Sequence, residues 1–320
     1  MKEARYFVLC SIVFLYSVII FGCKTQVPSN EEDFSMDGAF LENLTTYIPI
    51  TENTSTSVIK PNPPRDNRKI KIQADAVLGE FFTSFSSSSK YRKQNIRNAA
   101  SKINQTIVYP NEEFSICNLL TPFTAENGYF PAGTIVQGKV VNSYGGGVCQ
   151  VSTTLYNAVL KAELAVIERH SHSITVSYIE VGRDAAIAEN LKDFRFINTL
   201  DSPILIEAIV TPRDQLIFRI RGIQKKSITE RMVSLETVIL EEIKAGEPII
   251  EYDSTQPQDY IKVTQSAHNG YKVELYRIVT VNGMEVERTR VNYSEYEASP
   301  QYMVVGSKTL SPPNDSLNGL

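Results

Sequence analysis

Three consecutive glycines, Gly145, Gly146 and Gly147, open the stretch YGGGVCQVSTTLYNAVLKAEL, and no other feature constrains the chain as much. With no side chain to place, the backbone there is free to take positive φ and to run close against another element. Directly after it, Val148, Val151, Leu155, Val159 and Ala162 recur at spacings of three and four, one apolar face of a helix. Cys149 therefore stands in a first helical turn, where unpaired amide N–H groups and the helix dipole favour negative charge. A thiol so placed has a depressed pKa, and the thiolate is its reactive form. The same amides can act as oxyanion donors. They can equally hold an anionic ligand, for which Gly145, Gly146, Gly147, Gln150, Ser152 and Thr153 are the candidate residues. The stretch lacks the Gly-Lys-Ser/Thr ending of a phosphate loop.

Histidine is scarce, with three in the chain, and two of them lie in RHSH shortly after the cysteine helix. The segment HSHSITVSY alternates strictly, which predicts a strand with His170, His172, Ile174, Val176 and Tyr178 on one face. A cysteine heading a helix, a histidine on the next strand and an acid further on is the element order of transglutaminase-like and papain-like thiol enzymes. On that reading Cys149 is the nucleophile, His170 or His172 the base, and Asp184 or Asp193 the group that orients the imidazole. Other readings stand beside it. Cys149 is a small residue filling a helix–sheet contact, or half of a disulfide with Cys117, or one ligand of a metal site with both histidines. No metal and no cofactor is assigned. Arg169, next to His170, reads as a surface or salt-bridge residue, and Tyr144 as core or pocket lining.

The remaining elements follow from pattern. Order begins near IKIQADAVLGEFFTSF, and Tyr91, Ile96, Ala99, Ala100 and Ile103 suit one face of a short helix. GTIVQGKVV reads as a hairpin arm bounded by glycines, and DFRFINTLDSPILIEAIV as two strands joined by the Asp201-Ser202-Pro203 turn. LIFRIRGI is a further strand. Beyond Ser227 the chain alternates as an all-β module, with Val281-Asn282-Gly283 supplying the Asn-Gly hairpin signal.

The N-terminus places this chain in the cell. Lys2 and Arg5 precede an apolar run from Tyr6 to Phe21, a charged region followed by the hydrophobic region of an export signal. Gly22-Cys23 resembles a lipobox, which makes Cys23 the candidate lipid acceptor. An uncleaved anchor helix and plain secretion are the alternatives, the run being near the lower limit for spanning a bilayer. Each exports the rest to the outer face of a bacterial cytoplasmic membrane. The expected division is an export segment over 1–23, a Ser/Thr/Asn/Pro-rich tether over 24–68, a first folded domain over 69–226, a β module over 232–308 and a loose tail over 309–320. The net charge of −4, with no basic stripe, excludes nucleic acid as a partner.

The segments LGEFFTSFSSSSKYRKQNIRNAASKINQTIVYPNEEFS, TAENGYFPAGTIVQGKVV, GGGVCQVSTTLYNAVLKAEL, ERHSHSITVSY, GRDAAI and DFRFINTLDSPILIEA together resemble the VanW family, named for an accessory protein of vancomycin-resistance clusters. Only YIEVGRDA departs, with Glu180 and Val181 where the family usually has proline. GYKVELYRIVTVNGMEVERTRV and VVGSK, with Gly270, Gly283 and Gly306, resemble the G-five domain of wall-associated surface proteins. The resemblance implies an α+β VanW-like domain, helices followed by a mostly antiparallel sheet, and a small all-β C-terminal module. It also implies a cell-envelope protein whose partner is peptidoglycan or another N-acetylglucosamine-containing glycan. It brings no mechanism. Two functions follow: a thiol enzyme acting on peptidoglycan or its precursors, or a non-catalytic glycan-binding surface protein in which Cys149 is structural.

Overall fold

The structure, a computed structural model, describes residues 74–136, 139–223 and 230–308. The export segment with Cys23, the tether and the tail lie outside the described residues. In chain order the first domain runs β1 (Ala76–Ser84), α1 (Lys90–Ile103), β2 (Thr106–Val108), β3 (Glu113–Ser115), α2 (Cys117–Leu120), β4 (Pro131–Val136), β5 (Lys139–Tyr144), α3 (Val148–Lys161), β6 (Ala165–Glu168), β7 (Arg195–Ile197), β8 (Ile204–Val210) and β9 (Gln215–Gly222). A four-stranded antiparallel sheet, ordered β1-β9-β8-β2, carries α1 and α3, and β3-β7-β6 and the β4-β5 hairpin complete the domain. Strands and helices thus interleave, where the sequence suggested helices first and a sheet after them.

Helix α1 starts at Ser89, whose hydroxyl accepts the Arg92 amide, and it buries Ile96, Ala99, Ala100 and Ile103. Tyr91 is not on that face: it is half exposed and its ring stacks on Phe130 with centroids 5.2 Å apart. Helix α3 is covered all round, from Gln150 to Leu160, rather than along one stripe. Gly79 of β1 explains the close approach of helix and sheet. A Cβ there would lie 2.3 Å from the Ala158 carbonyl oxygen and 2.5 Å from the Ala162 nitrogen. We expect Gly79→Ala to push α3 off β1 and to cost about 3 kcal/mol, at the top of the usual overpacking range, read as a lower urea midpoint at unchanged slope.

DFRFINTLDSPILIEAIV does form two strands, but they do not pair with each other. β7 joins β3 and β6, whereas β8 joins β2 and β9. Buried Asn198 makes the corner between them. Its amide donates to Val108 O and Ser202 O, and its carbonyl accepts the Leu200 N–H. The larger correction concerns HSHSITVSY, which is not a strand; His170 alone forms an isolated bridge, with Ala186. Its backbone groups are spent elsewhere. The His172 N–H goes to Asp184 Oδ2 at 2.7 Å, and the Ser173 carbonyl accepts the Glu297 N–H at 2.7 Å. The two histidines therefore do not share a face.

The second domain is all-β: β10 (Arg231–Ile243), β11 (Ile249–Pro257), β12 (Ile261–Gln265), β13 (Gly270–Val281), β14 (Met284–Tyr296) and β15 (Tyr302–Lys308). They form two three-stranded sheets, β10-β13-β14 and β11-β15-β12. The β13–β14 turn has Asn282 at φ 51° and Gly283 at φ 78°, the primed turn that the Asn-Gly signal predicts.

Candidate thiol site

The glycine turn is set by its neighbours. Gly145 and Gly147 take φ of 81° and 109°, and a Cβ on Gly146 would lie 2.5 Å from the Ala132 carbonyl oxygen. Asn95, buried in α1, clamps the turn: its amide donates to Gly146 O and Phe130 O, and its carbonyl accepts the Phe130 N–H. The Val148 and Gln150 amides fold back onto the carbonyls of Gly145 and Gly147. This rigid entry fixes where Cys149 points.

Cys149 is half-buried, and as a thiol it donates from Sγ to the Ile187 carbonyl at 3.4 Å. The His172 side chain lies close enough to interact with it electrostatically. His172 Nδ1 is committed to Asp184 Oδ2 at 2.5 Å, which leaves Nε2 as the nitrogen available to the thiol. Asp184 accepts two further bonds on Oδ1, from Arg169 Nη2 at 2.7 Å and from the Tyr296 hydroxyl at 2.5 Å.

The electrostatics follow from burial opposed by partners. Burial alone raises the Cys149 pKa, but the interaction with the neighbouring His172 outweighs it and holds the thiol below its ordinary value. Burial lowers the His172 pKa, and the bond to Asp184 and the neighbouring Cys149 more than reverse this, taking it to about 9. Asp184 is likewise raised by burial and lowered further by His172 and Arg169, to about 2. Both shifts run in the direction that favours a thiolate beside an imidazolium.

The other sequence candidates are placed differently. His170 Nε2 meets Glu168 Oε1 at 3.0 Å, on the surface. Asp193 accepts from Ser115 Oγ, the Cys117 N–H and the Phe194 N–H, which caps α2 instead of orienting a histidine. Cys117 and Cys149 are both free, so the disulfide reading is overturned. Burial and the adjacent Asp193 push the Cys117 thiol far above its ordinary range. Gln150 is buried and bonds Thr83 Oγ1 and Ser84 O while accepting from Arg92 Nη1. Thr153 is also buried and accepts the Ala185 N–H, and Ser152 is fully enclosed. These three side chains are part of the packing around α3. Arg169 is a salt-bridge residue, though an internal one rather than a surface one. Tyr144 is half exposed on β5. Among the described residues no cluster of His, Cys, Asp and Glu is arranged to hold a metal ion.

Comparison with known proteins agrees in kind with these two folded parts. The model of the family described as VanW like protein matches residues 91–221, and that of the G5 domain matches 236–308. The chain carries a VanW-like domain followed by a G5 domain. Over 172 residues it is 38% identical to the protein YoaR of Bacillus subtilis (strain 168), the match covering 53% of this chain and 57% of that one. Over 136 residues it is 29% identical to the vancomycin B-type resistance protein VanW of Enterococcus faecalis (strain ATCC 700802 / V583), covering 41% and 50%. The chain thus spans between half and three-fifths of the length of these curated relatives. The solved IgA1 protease G5 domain matches at 30% identity over 25% of this chain and 93% of that one, with a TM-score of 0.17. Cys149, His172 and Asp184 all lie within the segment matched as VanW-like, while Tyr296 lies within the segment matched as G5.

Proposed function

We propose that this chain is a cell-envelope thiol enzyme that transfers or hydrolyses acyl groups of peptidoglycan or its precursors. The observation that carries this reading is the position of His172, held through Nδ1 by Asp184 and close enough to Cys149 to lower the thiol's pKa. In the proposed reaction the Cys149 thiolate attacks an amide carbonyl, and its Sγ–C bond forms as the carbonyl π pair moves onto oxygen. The Cys149 N–H, in the first turn of α3, is placed to donate to that oxyanion. Collapse of the intermediate breaks the C–N bond, and His172 Nε2 gives its proton to the leaving amine. Water, or an acceptor amine deprotonated by the now neutral His172, then cleaves the thioester and regenerates the thiolate. Asp184 remains ionised throughout and holds the imidazole by Nδ1.

The wall as the place of action is supported by the VanW-like and G5 domains, and by the vancomycin resistance for which the enterococcal relative is named. Export by the N-terminal segment, whether lipidated at Cys23 or anchored, fits the same reading.

The test is intact-mass spectrometry of the protein quenched in acid during incubation with muropeptides released from purified cell wall. The expected result is an acyl adduct on Cys149 that hydroxylamine removes and that Cys149→Ala lacks. Glycan retention without any adduct, unchanged in Cys149→Ala, would support the non-catalytic alternative instead.

A further inference from the structure

β14 is the edge strand of the sheet β10-β13-β14, and one of its faces is turned onto the carboxylate of the thiol site. Asn292, Ser294 and Tyr296 lie on that face at period two, and the alternate Tyr293 and Glu295 are exposed. Each of the three places a hydrogen bond on the VanW-like domain. Asn292 Nδ2 donates to the Tyr156 hydroxyl at 2.6 Å and to Gly182 O at 3.0 Å. Ser294 Oγ accepts from Arg169 Nη1 at 2.6 Å. The Tyr296 hydroxyl accepts the Gly182 N–H at 2.7 Å and lies 2.5 Å from Asp184 Oδ1. Because it accepts an amide proton, its own proton is directed at the carboxylate.

The loop that carries Asp184 is gripped from β10 as well. Thr237 Oγ1 donates to Val181 O, and Arg183 Nη2 donates to Leu235 O. The Glu297 N–H holds the carbonyl of Ser173, one residue after His172. These hydrogen bonds bear on residues 181–184 and on the backbone beside His172, while Arg231–Glu163 and His268–Thr175 join the two domains elsewhere.

We propose that the G5 domain completes the thiol site, with Tyr296 acting as a positioning residue for Asp184. The proposal rests on the thiol-enzyme reading above. Asp184 has both oxygens engaged: Oδ2 by the His172 amide and ring, Oδ1 by Arg169 and Tyr296. Removing the phenol hydroxyl leaves Oδ1 held from one side only and strands the buried Gly182 N–H. The carboxylate and its imidazole then sample other orientations, and His172 meets the thiol in a smaller fraction of molecules. A chain ending before β10 would carry the triad residues without this support.

The experiment compares full exported chains, wild type, Tyr296→Phe and Tyr293→Phe, by the pH profile of iodoacetamide alkylation at Cys149. Tyr293 lies on the opposite face of β14 with its hydroxyl on Glu295, and its variant serves as the control. The expected result for Tyr296→Phe is about a tenfold slower alkylation at pH 6, with the acid limb moved to higher pH and the fold intact by near-UV circular dichroism. Loss of a charge-assisted hydrogen bond supports that size. Tyr293→Phe should reproduce the wild-type profile. A Tyr296→Phe profile within twofold of wild type at every pH overturns the role of Tyr296 and leaves the thiol reading standing. A wild type that is not alkylated at low pH sinks both. Equal slowing in both tyrosine variants would mark a general loosening of β14 and also overturn the proposal.

Discussion

In the folded protein at pH 6, we expect Cys149 to be alkylated by iodoacetamide roughly 30–100-fold faster than an ordinary thiol, and Cys117 to stay unmodified until the chain unfolds. That factor comes from thiolate supply. A free cysteine with pKa near 8.5 is only about 0.3% ionised at pH 6, whereas a thiol paired with imidazolium is largely ionised there. Part of the gain is returned because a low-pKa thiolate is intrinsically less nucleophilic. The pH profile should show a plateau, bounded below by the depressed thiol pKa. At its upper end His172 gives up its proton near pH 9, and the thiolate persists without its partner. His172→Gln should erase the plateau and leave a single rise above pH 8. Cys117 differs because burial and Asp193 oppose its ionisation, so the two cysteines report in opposite ways on one gel or digest. A Cys149 profile that rises only above pH 8 in the wild type would mean a neutral thiol–imidazole pair and end the nucleophile reading.

The sequence carries some of this site plainly. The glycine turn and the helix behind it are local, and Cys149 in the first helical turn follows from three glycines and a spacing of three and four. The choice between His170 and His172 is not local. Strict alternation in HSHSITVSY is the pattern of a strand, but the His172 amide bonds a carboxylate twelve residues away and the Ser173 carbonyl bonds the second domain. A side chain has taken the place of a partner strand, and periodicity holds no record of that. Asp193 and Asp184 look alike in sequence as well. Only tertiary contacts assign one to the α2 cap and the other to the imidazole. Asn95 and Tyr296 carried no signal beyond being polar residues at buried positions. The target of the Tyr296 hydroxyl lies 112 residues earlier in the chain and leaves no local pattern to read.

Asp184→Ala should be the most damaging single change to stability in the VanW-like domain. Asp184 is 1% exposed and accepts four hydrogen bonds, one of them from the Arg169 guanidinium, whose side chain is 6% exposed. Removing it leaves a buried cation without a counter-charge, a loss of about 3–5 kcal/mol. For a folded region of this size that corresponds to a melting temperature lower by roughly 10 °C. The pH dependence gives a second check. Asp184 has a lowered folded pKa, so its contribution is complete above about pH 4 and is lost as pH falls through about 2. His172 has a raised folded pKa, so its contribution is complete below about pH 6.5 and is lost as pH rises through about 9. The gap between wild type and Asp184→Ala should therefore be widest from about pH 4 to 6.5 and narrow on both sides. Arg169→Met in the Asp184→Ala background should recover part of the loss, because it removes the stranded charge. Denaturant melts of wild type, Asp184→Ala, Arg169→Met and the double variant across pH 3–10 measure all of this. A flat difference with pH, or strict additivity in the double variant, would show that the carboxylate holds the fold by packing alone and not by charge.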